Sequence, residues 1–133
     1  MHAANDAAYE TGDSVEVVAF HCQPGLPPPE GVPHSHRYRL AVTLTGDQLD
    51  EEGMLVDLDR LGAVMRDVAG RIDQQDLDVV VGPSTTVERL AHWVHGRLSS
   101  ALGPGTDRRL LAAVRVWESD TAFGGYCAPL VDR

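Results

Sequence analysis

Two periodicities run along the chain. Val15 to Cys22 (VEVVAFHC) is too apolar for a surface loop, and as a strand it sets Val15, Val17, Ala19 and His21 on one face. The loop QPGLPPPEGVP follows, and its three consecutive prolines keep it out of helix. From His36 to Thr45 the residues alternate. His36, Tyr38, Leu40, Val42 and Leu44 share one face, and Arg37, Arg39, Ala41, Thr43 and Thr45 the other. After a turn-rich connection, GDQLDEEG, the period lengthens. Leu58, Leu61, Met65, Val68 and Ile72 are spaced for a helix with Asp57 as its cap and its end near Asp73. A polar link leads to GPSTT, where Thr85 or Thr86 caps a second helix with Val87, Leu90, Ala91, Val94 and Leu98 as its buried stripe; GPGTD ends it. Leu110 to Glu118 reads as a third strand, and Phe123 to Pro129 as a weaker fourth.

The order ββααββ predicts an α+β fold: a four-stranded antiparallel sheet with two helices on one face. The 133 residues suit one modest core, expected over residues 14–130, with residues 1–13 as a flexible tail. Four strands leave open edges, so a homo-oligomer that pairs them is expected.

Composition narrows the partners. The net charge is −9, which argues against nucleic acid, whose phosphates demand clustered cations. All 11 basic residues are Arg, so no lysine is available for Schiff-base chemistry. No apolar run approaches the ~20 residues of a membrane helix, and no membrane association is expected. MHAANDAAYETGD lacks the basic flank and apolar core of a secretory leader. The expected compartment is the cytoplasm, with Cys22 and Cys127 reduced.

His34 and His36 stand two apart at the start of the second strand, and side chains so spaced lie on one side, ~6.6 Å apart at the backbone. If the first two strands pair antiparallel, His21 arrives at the same end of the sheet. Three neutral imidazoles can hold Zn²⁺ and leave a fourth position open. By pattern alone the pair could equally be surface residues at a strand start.

The motifs taken together resemble the 6-pyruvoyl-tetrahydropterin synthase and 6-carboxy-tetrahydropterin synthase family. That family has a strand ending in His, a loop with Cys four residues before HGHNY, a GMVxDF turn, then LDHxxLN, PTxEN and a strand ending in Glu. Here FHC, HSHRYRL, GMLVDLDRL, IDQQDLD, STTVERLA and VRVWES follow in the same order, over roughly residues 15 to 128. The resemblance implies the tunnelling fold, assembled from several copies into a closed barrel as trimers or hexamers. It also implies zinc held by His21, His34 and His36, a small-molecule substrate of the dihydroneopterin triphosphate type, and pterin binding by Glu118 and Thr86.

Two departures bear on the chemistry. The family's usual base is the loop cysteine, assisted by the Asp-His pair. Here Glu30 stands in the cysteine position and Gln74 follows Asp73 where the His belongs. Gln takes no proton at neutral pH. Glu30 and Asp73 are therefore the candidate proton-transfer groups, and aldolase-type release of 6-hydroxymethyl-dihydropterin joins elimination as a reaction the resemblance implies. Cys22 is expected to face away from His21 as a small packed residue. Glu88, His92 and His95 share a helix face, read as solvated in preference to a second metal site; Asp76 and Asp78 are read as solvated too. Two other functions fit the same scaffold: a zinc cyclase or dehydratase acting on a non-pterin substrate, and a non-catalytic binding or assembly protein.

Overall fold

The structure, a computed structural model, describes residues 8–103 and 109–131. Its elements are β1 (Tyr9–His21), β2 (His34–Gly46), α1 (Leu58–Ile72), α2 (Leu77–Val80), α3 (Val87–Leu102), β3 (Leu111–Trp117) and β4 (Phe123–Pro129). The strands form one antiparallel sheet in the order β1-β2-β3-β4.

The alternating faces decide which way each strand is turned. Val17, Ala19, Tyr38, Leu40, Val42, Leu44, Ala112, Val114 and Val116 are all buried on the helix side. A slip of one residue would turn these side chains outward, at roughly 1.5–3 kcal/mol for each large one. Against them α1 packs Leu61, Met65, Val68, Ala69 and Ile72, and α3 packs Leu90, Ala91, Val94, Leu98 and Leu102. Leu58, expected in the first stripe, is 54% exposed, because the first turn of α1 overhangs the core. Asp57 caps α1 by accepting the Asp59 N–H at 2.9 Å, and Thr86 caps α3 by accepting the Arg89 N–H at 3.2 Å.

The expected tail and the polar link differ from the sequence-based expectation. Of the tail expected over residues 1–13, residues 9–13 belong to β1, while residues 1–7 lie outside the described part. Pairing with β2 along its whole length, from Tyr9↔Gly46 to His21↔His34, overrides the turn-like TGDS. The polar link after α1 contains the short helix α2, capped by Asp76, which accepts the Asp78 N–H. The α3 helix ends at Leu102 with Gly103 as its cap, in line with the expected GPGTD stop, whose remaining residues lie outside the described part.

The sheet does not close on itself, so the barrel expected of the assembly is not formed within one chain; β1 and β4 are its edges. The β1 edge is half covered. Residues 73–78 run beside it, with Gln74 N–H donating to the Val18 carbonyl at 2.6 Å and Phe20 N–H to the Gln75 carbonyl at 2.9 Å. No helix among the described residues is long and apolar enough to cross a membrane.

Candidate metal centre and substrate cleft

The register decides where the three histidines stand relative to one another. His21 pairs directly with His34, and Ala19 with His36, so the three imidazoles meet at one end of the sheet. Ring centroids are 4.5 Å apart for His21 and His34, 5.1 Å for His21 and His36, and 4.7 Å for His34 and His36. One donor atom from each lies within 4.8 Å of the others. Among the described residues this is the one cluster of three or more His, Cys, Asp or Glu whose donors converge in this way.

The donor chemistry fits a metal. His21 is buried, yet neither Nδ1 nor Nε2 has a hydrogen-bond partner. An unpartnered buried imidazole is costly unless something else takes its lone pair. His34 Nδ1 lies 2.8 Å from the Val32 carbonyl. A carbonyl only accepts, so Nδ1 carries the proton and Nε2 is left as the ligand atom. Burial pushes the His21 pKa down, and the facing His34 and His36 push it further; Asp78 opposes them. The Thr85 backbone also opposes them, though it does not reach hydrogen-bond geometry with the ring. The neutral form so favoured is the one a metal binds.

A prediction follows for the metal-free protein. His21 keeps a folded-state pKa below the 6.5 of the unfolded chain, so the unfolded state binds more protons as pH falls through that value. The stability contributed by the neutral ring is present above pH ~6.5 and is lost on acidification. Thermal melts in chelator should show a drop between about pH 7.5 and 5.5 that is smaller in His21→Leu. Equal drops in both proteins would show that His21 is not responsible.

The imidazoles form one wall of a cleft of about 450 Å³, a size suited to a small ligand. Glu30, Thr86 and Glu118 line the same cleft, so the fold gathers all but one of the candidate residues. Glu30 enters from the proline loop, which closes on itself through a bond from Gln23 N–H to the Glu30 carbonyl at 2.7 Å. Glu118 lies one residue beyond β3, where its N–H donates to the Ala122 carbonyl at 3.1 Å. It continues the face of Ala112, Val114 and Val116 into the cleft. Thr86 arrives as the cap of α3.

Asp73 is the exception. It caps the C-terminus of α1 and accepts the Val18 N–H at 3.0 Å, and it does not line the cleft. Gln74 likewise spends its N–H on β1. Cys22 is half-buried outside the cleft, its thiol donating to the Gly31 carbonyl at 3.2 Å, as expected of a packed residue.

Other residues behave differently from their sequence reading. Asp78 is held between two backbone amides and is not a free surface acid. The Glu88, His92 and His95 face is neither a metal site nor fully solvated. His95 is buried and donates from Nε2 to the Ala128 carbonyl at 2.9 Å, tying α3 to β4, while His92 sets its edge on Tyr126. Glu88 lies across Gly124, where a Cβ would come within 3.1 Å of its Cδ, and it reaches the cleft. Tyr38 was legible only as a core residue, but its ring stands 5.6 Å from that of His36 and lines the cleft. Burial raises the pKa of its phenol, and Glu118 and Asp78 raise it further. A larger groove of about 750 Å³ runs along the outer side of α3, beside Arg89, Trp93 and Arg97, away from the imidazoles.

An open sheet of this order, with paired helices on one face and three convergent imidazoles at its end, defines an α+β scaffold with a candidate metal centre. Residues 14–128 match the family described as 6-pyruvoyl tetrahydropterin synthase. The chain belongs to that family, whose members are lyases. No curated protein matches it by sequence. Among solved structures, the 6-pyruvoyl tetrahydropterin synthase of Caenorhabditis elegans is similar at 20% identity, covering 90% of this chain and 95% of that one, with a TM-score of 0.71. The Plasmodium falciparum enzyme is 12% identical, covers 90% of this chain and 97% of that one, and has a TM-score of 0.72. A Plasmodium vivax 6-pyruvoyltetrahydropterin synthase, in which a catalytic glutamate is replaced by cysteine, is 13% identical, covers 92% and 98%, and has a TM-score of 0.73. At such identities the likeness is one of fold.

Proposed function

We propose that the protein is a zinc-dependent lyase acting on a dihydropterin that carries a polyol side chain, as in dihydroneopterin triphosphate. The observation that carries this reading is the unpartnered, buried His21 converging with His34 and His36 beside Glu30, Thr86 and Glu118. His21, His34 and His36 would hold the ion. Zinc bound there supplies Lewis acidity, lowering the pKa of the substrate groups it touches. Glu118 accepts two N–H bonds from the edge of the pterin ring, and Thr86 contacts the ring beside it. Glu30 takes a proton from the side chain: from a hydroxyl, so that the adjacent carbon–carbon bond breaks to a carbonyl and the ring-side carbon takes up a proton, or from carbon, so that triphosphate leaves. The catalytic glutamate named for the Plasmodium vivax enzyme supports a carboxylate in this role.

Assembly belongs to the same proposal. The uncovered part of the β1 edge and the β4 edge would pair with further copies, as trimers or hexamers, and Phe123 and Leu111 are 46% and 40% exposed on the sheet face turned away from the helices.

A second reading, a zinc enzyme with a non-pterin substrate, draws on Asp73 and Gln74, since neither reaches the cleft. One experiment separates the two. Zinc-loaded protein is incubated with a panel of dihydropterins, and the products are identified by mass spectrometry. The pterin reading expects cleavage or elimination of at least one side chain, and no product from any of them ends it.

A further inference from the structure

Asp78 is half-buried behind the histidines, and both of its carboxylate oxygens are engaged. Oδ2 accepts the N–H of Cys22 at 3.0 Å, and Oδ1 accepts the N–H of Thr85 at 3.0 Å. Each amide belongs to the neighbour of a cleft residue: Cys22 follows His21, and Thr85 precedes Thr86. The two bonds span 56 and 7 positions in sequence, so one side chain joins the end of β1 to the start of α3. Asp78 is itself held, because its own N–H donates to Asp76 at 2.9 Å. The Thr85 hydroxyl braces the same corner, its single O–H donating to the Gly82 carbonyl at 2.6 Å with the Leu77 carbonyl sharing it at 3.2 Å.

His21 has no hydrogen bond to aim its ring. Metal-binding imidazoles are ordinarily oriented by an outer partner on the second nitrogen. Here the ring can be set only by packing and by the backbone that carries it. We propose that Asp78 is the positioning residue of the centre: by clamping the amides of Cys22 and Thr85 with one carboxylate, it fixes His21 for the metal and sets its separation from Thr86 across the cleft. This rests on the zinc reading above. Only a side chain with two acceptor oxygens can hold both amides at once, since the second atom of an Asn amide is a donor.

The test is zinc affinity, measured by competition with a chromophoric chelator, for wild type, Asp78→Ala, Asp78→Asn and Asp57→Ala. Asp57 caps α1 beside Tyr9 and Glu10, at the other end of β1 from His21, so its replacement also removes a carboxylate that holds a backbone amide and serves as the control. Asp78→Ala should lose ~10–100-fold in zinc affinity, Asp78→Asn should fall between it and wild type, and Asp57→Ala should stay within about twofold. If Asp78→Ala does not fold, Asp78→Asn decides alone. The proposal is overturned if the folded Asp78 variants bind zinc as wild type does, or if Asp57→Ala loses as much. Wild type that binds no zinc overturns the zinc reading and this inference together; wild-type binding with indifferent Asp78 variants overturns the inference alone.

Discussion

Replacing His36 with Ala is expected to lower zinc affinity by at least ~100-fold and to remove lyase activity with it. The size of the effect comes from ligand number. Three imidazoles converge within 4.8 Å, and a site cut to two has no third protein donor in that cluster to complete it. His36 is a better test than His21, which is buried at a strand end where substitution also changes packing. His36 is half-buried and paired with Ala19 inside a continuous ladder, so Ala at this position leaves the register intact. Metal analysis after dialysis, with far-UV circular dichroism as a check on folding, reads the result. Near-stoichiometric zinc in the folded variant would show that the three histidines are not the metal site.

Glu30→Gln is expected to lower kcat/KM by ~10²–10⁴-fold while leaving zinc affinity unchanged. The amide keeps the size of the side chain and loses the ability to take a proton. The loop holds its shape through backbone bonds, from Gln23 N–H to the Glu30 carbonyl and from Gly31 N–H to the Pro27 carbonyl, and the substitution touches neither. Gly31 packs so closely under Leu26 that a Cβ there would collide with its carbonyl oxygen, which limits where Glu30 can sit. A variant with wild-type turnover would remove Glu30 from the chemistry. With Asp73 bound to β1 and away from the cleft, the base would then have to be sought in Glu88, since burial and the nearby carboxylates keep the Tyr38 phenol protonated.

How readily each part was foreseen follows from how local its cause is. The core faces of β2 and β3, both long helices and their caps at Asp57 and Thr86 depend on period and on residues a few positions apart. Leu58 was misplaced because a helical stripe does not say where the core stops. The first half of β1 was missed because its residues have little strand preference of their own; only the partner strand makes them extended. By pattern Glu88 belongs to a helix face and Tyr38 to the core, because their route to the cleft depends on Gly124 and on the meeting of separate elements.

The sequence by itself determined the element order, the alternation that turns His21, His34 and His36 to one side, and the motif series that marks the family. All of these are written in spacing along the chain. The tertiary structure alone decided that Asp73 serves a strand edge and Asp78 a clamp, although both are acids in the same short segment. The physical reason is that a carboxylate's role is set by which amides come within about 3 Å of it, and here those amides belong to strands and helices distant in sequence.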